Sequence, residues 1–241
     1  MGNRVSVAMA VCNGEKYLPV QIESILPQLK ADDELVISYD RSDDNTLGII
    51  EKYAAADSRI RILTNEAPGV TGNFSSAISG CTGDFIFLSD QDDRWMPDKV
   101  EKVMACFLEK KADLVIHNGI HTDAELNPVG APFSEIYRIG NGKLKNILKP
   151  RMSGCCMAFT KEMKERILPM PEIHGYDQWI ALVCECLGHI EYPEEILILH
   201  RLHEGNVTPT SSRPLPVVLK LRAGLVLNLA RRVRRERRRK P

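Results

Sequence analysis

Between residues 4 and 118 five short apolar runs, RVSVAMAV, ELVISYD, RIRILTN, DFIFLSD and ADLVIHN, alternate with helical stretches. The first helix carries Leu18, Ile22, Ile25, Leu26 and Leu29 on one face. TLGIIEKYAAA, GNFSSAISGC and PDKVEKVMACFLEKK follow, the last with Pro97 in its first turn. Strands that are apolar throughout, joined by helices at short spacing, pair in parallel and are covered on both faces. The expectation is therefore an α/β fold, Rossmann-like, with a mostly parallel central sheet. After about residue 125 the alternation weakens. A Gly/Pro/Asn-rich connection, LNPVGAPF, precedes a strand at GCCMAFT, a loop feeding the helix in PMPEIHGYDQWIALVCECLG, and a strand in EEILILHRLHEGNVT that empties into a polar loop. Pro209, Pro214 and Pro216 then separate a body, residues 1–210, from a tail, 211–241; within the body the pattern divides near 125/126.

With 241 residues, 44% hydrophobic and 27% charged, the chain suits one globular body with a sizeable core. Its zero net charge hides an asymmetry. From Lys220 onward ten basic residues face one acid, so the tail carries +9 and the rest, with 22 basic and 31 acidic residues, −9. Two such electrostatic objects should have different partners. The seven cysteines have no metal-ligand spacing; Cys155–Cys156 and Cys184-x-Cys186 read as small apolar fillers of a reducing compartment, the cytoplasm. The N-terminal apolar run is too short for a signal peptide and AGLVLNLA too short for a span.

In open α/β sheets ligands bind beyond the carboxyl ends of strands. Three polar clusters sit at such ends: CNGE, YDRSDDNT and SDQDD. Asp90, Asp92 and Asp93 in FIFLSDQDDRW repel one another unless a cation sits among them. Either the cluster is a solvated turn, or it holds a divalent ion such as Mg²⁺ or Mn²⁺, which prefer oxygen ligands.

VSVAMAVCNGEKYLPVQIESIL, SYDRSDDNT and GNFSSAISGCTGDFIFLSDQDDRWMPDK together resemble the family 2 glycosyltransferases, and LSDQDDxWxPDK resembles their bacterial rhamnosyltransferase branch. The resemblance spans residues 4–208. It implies a GT-A fold, a nucleoside-diphosphate sugar donor (dTDP-rhamnose or a UDP-sugar), Mn²⁺ or Mg²⁺ as cofactor, inversion at the anomeric carbon, and a surface-polysaccharide or lipid-linked glycan as acceptor. Residues 1–125 would bind the donor and 126–210 the acceptor. On the motif, Asp92 becomes the principal metal ligand and Asp90 lies nearer the donor ribose. Asp93 is either an outer partner of the metal or a helix-entry turn residue. Asp40 matches the acid that contacts the nucleoside, but YDRS stands where the family has DDGS. Tyr39 then either stacks on the base or is strand-end core, and Arg41 pairs with Asp43 or Asp44 or meets phosphate. Asn13 and Glu15 lie beside the nucleotide, Glu15 alternatively serving only as a first-turn acid. Asn73 either donates near the sugar or caps its helix.

IHGYDQWIAL occupies the place of the family's acidic motif. Asp177 is the expected general base, the alternative being a helix cap, and His174 is the second choice. Trp179 reads as an acceptor platform or as core, core packing with a partly exposed edge being favoured. LHRLHEGN matches YRxHxxN, which implies that Arg201 or His203 contacts the diphosphate and that His203 completes the metal shell. His117 and His121 are structural. Val217, Val218, Leu221, Leu225, Leu229 and Val233 form a helical stripe beside dense arginine, which reads as an anionic-membrane anchor, with docking on the body or on a partner as the alternative. Nucleic acid is not expected, because no aromatic platform accompanies the arginines. Two rival readings are a non-catalytic, membrane-associated assembly factor and a sugar-1-phosphate nucleotidyltransferase; the second lacks its Gly-rich basic loop.

Overall fold

The computed structural model describes residues 2–173, 175–204 and 214–239. In chain order the strands are β1 (Val5–Val11), β2 (Glu34–Tyr39), β3 (Ile60–Thr64), β4 (Phe85–Ser89), β5 (Arg94–Trp95), β6 (Leu114–Ile116), β7 (Asn118–Thr122), β8 (Pro128–Pro132), β9 (Met157–Thr160), β10 (Ile190–Glu191) and β11 (Ile196–Arg201). The helices are α1 (Leu18–Ile25), α2 (Thr46–Ala56), α3 (Val70–Gly80), α4 (Lys99–Lys110), α5 (Phe133–Tyr137), α6 (Lys143–Leu148), α7 (Lys161–Ile167), α8 (Tyr176–Leu187) and α9 (Leu215–Arg239).

Seven strands form the central sheet in the order β10-β6-β9-β4-β1-β2-β3. Every pairing is parallel except those of β9, which runs antiparallel to β4 and β6. The chain builds β1, β2 and β3 outward and then returns to place β4 on the other side of β1, so β1 and β4 flank the point where the strand order reverses. Val11 pairs with Tyr39 and Met9 with Ser89, so the segments after β1, β2 and β4 leave the sheet along one edge. All five residues of β4 are buried, as are six of the seven in β1.

The second sheet, β5-β11-β7-β8, is entered directly from the acidic segment: β5 begins at Arg94, one residue past Asp93, and pairs with β11. LNPVGAPF, expected to be a connection, instead supplies the edge strand β8, where Pro128 and Pro132 cost no interior ladder bond. The β7–β8 turn is held by Asp123, whose Oδ1 accepts from the Asn127 and Glu125 amides, and residue 125 lies inside it. Pro97 precedes α4 rather than entering its first turn; Asp98 is the N-cap.

The described part of the tail is the 25-residue helix α9, packed on α8 and α6. Leu225 and Leu229 are buried, and Val218, Leu221 and Val233 are half-buried, so the apolar stripe is spent largely against the body. Arg232 donates to the carbonyls of Arg166, Leu168 and Pro169 around the C-terminal end of α7 and lies 5.2 Å from the Trp179 ring. Burial lowers its pKa to about 10. Leu219, Val226 and Leu227 point outward beside the arginines. No helix of the described residues is long and apolar enough to cross a membrane.

Candidate active site

Side chains close the gap between neighbouring strand ends. Gln91 accepts from the Cys12 amide and donates to the Cys12 carbonyl, both at 2.7 Å, which laces the segment after β4 to the segment after β1. Gln21 of α1 reaches Ser89 Oγ and the Asp90 carbonyl. Asn13, in the left-handed region, takes an amide hydrogen bond from Asp43, and Glu15 takes one from Asn45. These two residues therefore stand exposed on the expected rim and fasten its first two loops together.

Asp40 is buried, with Oδ1 accepting from Asn65 and Oδ2 from the Gly69 amide, which anchors the entry to α3. Asn73 is not a cap, since α3 begins at Val70 after Gly69. It is buried against β1, donating to the Val11 carbonyl, and its Oδ1 has no hydrogen-bond partner among the described residues. Tyr39 is half-buried against the core, and its hydroxyl accepts from the Ser42 amide. Arg41 is exposed and forms no ion pair among the described residues.

The strongest long-range convergence is at Asp92. His203 Nε2 lies 2.8 Å from Asp92 Oδ2, 111 residues away in sequence. Arg201 is buried beneath it: Nε donates to the Asp92 carbonyl, the backbone amide to Asp93 Oδ1, and Nη1 to the Ala124 carbonyl. The Arg201 guanidinium also sits 4.5 Å from the Tyr17 ring, which packs 4.6 Å from His203. Arg201, expected to touch a diphosphate, is thus anchored as the brace joining β11 to the acidic segment.

Two ends of the same sheet treat buried acids differently. Burial pushes the Glu34 carboxyl up, but hydrogen bonds from Ser6, Thr82 and Arg61 overcome it and hold the pKa at about 2. At the opposite end, burial and the fields of Asp93, Asp92 and Asp177 push Asp90 well above the ordinary carboxylate range. Burial and Asp92 likewise raise Asp93 to about 8. Lys99, fully buried, is a nearby cation besides Arg201; its Nζ bonds the Cys155 carbonyl and lies 4.0 Å from the Trp95 ring, and burial lowers its pKa to about 8. Carboxylates crowded together without enough cationic charge fit a divalent cation, with Asp92 and His203 as the pair that would hold it. Lys99 and Gln91 were missed in sequence: nothing in periodicity marks a buried lysine, and Gln91 meets its partner 79 residues away.

Asp177 is the second residue of α8, whose first turn follows Gly175 in the left-handed region (φ 85°). It is half-buried, and its Oδ1 accepts from the Gln178 amide. Burial raises its pKa, opposed by that bond and by Arg222 of α9. The charge of Asp177 is among the fields that raise Asp90. Trp179 is core, donating Nε1 to the Ile167 carbonyl. His117 is buried, with burial lowering its pKa, and His121 is half-buried against Tyr137. His174, the other candidate base, lies outside the described residues, as do Asn206 and residues 211–213.

Gly154 lets Tyr176 of α8 pack against it, because a Cβ there would stand 2.0 Å from Tyr176 Oη. Gly154→Ala should displace Tyr176, which stacks on Phe74, and lower stability by about 1–3 kcal/mol in denaturant titration.

A family model, Glycosyl transferase family 2, matches residues 6–168. Among curated relatives, the Escherichia coli protein WfgD, a UDP-Glc:alpha-D-GlcNAc-diphosphoundecaprenol beta-1,3-glucosyltransferase, is 30% identical over 179 residues, 74% of this chain and 68% of its own. The chain spans between 40% and 68% of the length of the first curated relatives it matches. In fold it is similar to S. aureus TarS 1–349 in complex with UDP-GlcNAc, with a TM-score of 0.73 at 20% identity, over 93% of this chain and 67% of that one. It is also similar to glucosyl-3-phosphoglycerate synthase from Mycobacterium tuberculosis in complex with Mn²⁺, UDP and glucosyl-3-phosphoglycerate, with a TM-score of 0.59 at 20% identity, over 96% of this chain and 80% of that one. The shared architecture is the GT-A fold.

Proposed function

Because the chain belongs to glycosyl transferase family 2, we propose that it moves a sugar from a nucleoside-diphosphate donor, a UDP-sugar or dTDP-rhamnose, onto a surface-polysaccharide or lipid-linked glycan acceptor, by metal-assisted direct displacement with inversion. The observation that carries this reading is the Asp92–His203 contact, which joins the end of β4 to the segment after β11 above a group of acids short of cations. The proteins of similar fold were crystallised with UDP-GlcNAc, or with UDP and Mn²⁺. A divalent cation held by Asp92 and His203, with Asp90 alongside, would neutralise the donor diphosphate and the leaving nucleoside diphosphate.

This chain's own residues do the rest. Arg201 and Gln91 fix the acidic segment, Asn13 and Glu15 set the rim of the donor pocket, and Asp40 holds the entry to α3 against it. Asn73 offers a buried, unpartnered oxygen as an acceptor for donor hydroxyls. Asp177 takes the acceptor hydroxyl proton, and its burial gives the carboxylate the basicity that step requires. Residues 1–125 supply most donor contacts and 126–210 the acceptor side. The outward face of α9, with Leu219, Val226, Leu227 and the arginines, would rest on anionic lipid as a peripheral anchor.

Screening UDP, dTDP and GDP by thermal shift, with and without Mn²⁺, tests the donor reading. A matching nucleotide at about 100 times its Kd adds about 2.7 kcal/mol, a rise of roughly 5–10 °C for a chain of this size. No Mn²⁺-dependent shift with any nucleoside diphosphate would reject it. Changing Arg231, Arg234, Arg235 and Arg238 to Glu should weaken co-sedimentation with anionic vesicles at least about a hundredfold at low salt; undiminished binding removes α9 from the membrane account.

A further inference from the structure

Behind Asp92, a second group of side chains meets at the joint between the two sheets. Asp93 comes from the segment linking β4 to β5, Cys155 from the turn before β9, and His200 from β11. One ligand atom from each lies within 4.8 Å of the other two. Asp93 and Cys155 are fully buried and His200 is half-buried. Asp93 Oδ1 is taken by the Arg201 amide, while Oδ2 is buried without a hydrogen-bond partner among the described residues. The His200 ring is held from outside: its Nδ1 lies 3.2 Å from His121 Nδ1, and His121 Nε2 lies 2.8 Å from the Tyr137 hydroxyl. Ligating histidines are usually fixed by such an outer chain.

We propose that Asp93, Cys155 and His200 form a cation site separate from the one at Asp92 and His203, and that it takes a thiophilic divalent ion of the zinc and cobalt class. The donor set decides the class. Imidazole and thiolate select Zn²⁺ or Co²⁺, whereas Mn²⁺ and Mg²⁺ favour carboxylates and water. Ligands around zinc sit at roughly 2.0–2.3 Å from the ion, so drawing these three together needs shifts of under about 1 Å. Three protein ligands leave a fourth position for a water.

The charges also balance. Binding sends the thiol proton, and any proton on Asp93, to solvent, leaving one carboxylate, one thiolate and one dication, with no net charge to bury. Without the ion, Cys155 keeps its proton: its hydrogen bond with Cys156, burial and the nearby acids push the thiol up, which makes it a poor nucleophile. The bound ion would clamp the central sheet to the second sheet directly behind Asp92. This assignment stands independently of the donor chemistry proposed above.

The test uses the full chain, stripped with a chelator and titrated with Co²⁺ in thiol-free reductant. The expected result is a near-ultraviolet thiolate-to-cobalt charge-transfer band that saturates at a single equivalent and is lost on adding Zn²⁺. Cys155→Ser should abolish the band, as should His200→Asn at a less buried position, while Cys156→Ser and Asp92→Asn retain it. No band in the wild type, or a band that survives Cys155→Ser, overturns the proposal. Loss of the band in Asp92→Asn overturns the claim that the two sites are separate.

Discussion

Asp92→Asn is expected to weaken Mn²⁺-dependent binding of the matching nucleoside diphosphate by a hundredfold or more in calorimetry. Removing mere outer partners of a metal ligand costs 10–100-fold, so removing the ligand itself should reach at least the top of that range. Asn keeps the volume and one acceptor oxygen for His203, and the Arg201 bond to residue 92 runs to its backbone carbonyl, so the fold should be preserved. His203→Ala should give a smaller loss. Unchanged affinity in Asp92→Asn would remove the metal from this position.

The same experiment carries a pH signature. Asp90 is raised by burial and by its acidic neighbours, so it keeps its proton to higher pH than an ordinary carboxyl, and an incoming dication competes with that proton. Affinity for Mn²⁺ should therefore rise with pH up to the Asp90 pKa and level off above it. Calorimetry in two buffers of different ionisation enthalpy should register the released proton.

Asp177→Asn should leave donor binding unchanged and lower kcat by about 10²–10⁴-fold, the usual contribution of a positioned general base. The amide still accepts from the Gln178 backbone, so α8 keeps its first turn. In the wild type, burial raises the Asp177 pKa, so the rate should climb with pH through that raised value as the carboxylate ionises. A variant that keeps wild-type kcat would move the proton transfer to another residue, His174 being the first to try.

Legibility followed the range of the interactions. β1, β2 and β4 announce themselves because strands buried on both faces must be apolar throughout, and α2 occupies the TLGIIEKYAAA read for it. β8 was hidden because its prolines resemble a loop until β7 is seen beside it. The acids at the strand ends were legible as a group, since parallel strands bring their carboxyl ends to one edge. What each does locally was not: Asp40, Asn13 and Glu15 all bond backbone amides in neighbouring loops, contacts that no spacing encodes. Cys155 read as an apolar filler because its neighbours, Asp93 and His200, arrive from distant segments. The stripe on α9 was correctly seen as amphipathic, but a periodicity cannot tell lipid from α8.

The seating of α9 bears on anyone who would trim the arginine-rich end to improve expression. Arg222 bonds Gln178, the residue after Asp177, and Arg232 covers Trp179. Cutting the chain before Leu215 would bare an apolar wall and loosen the helix that carries Asp177. A shortened protein that proves sluggish or sticky would then say nothing about lipids; it would have lost a buttress.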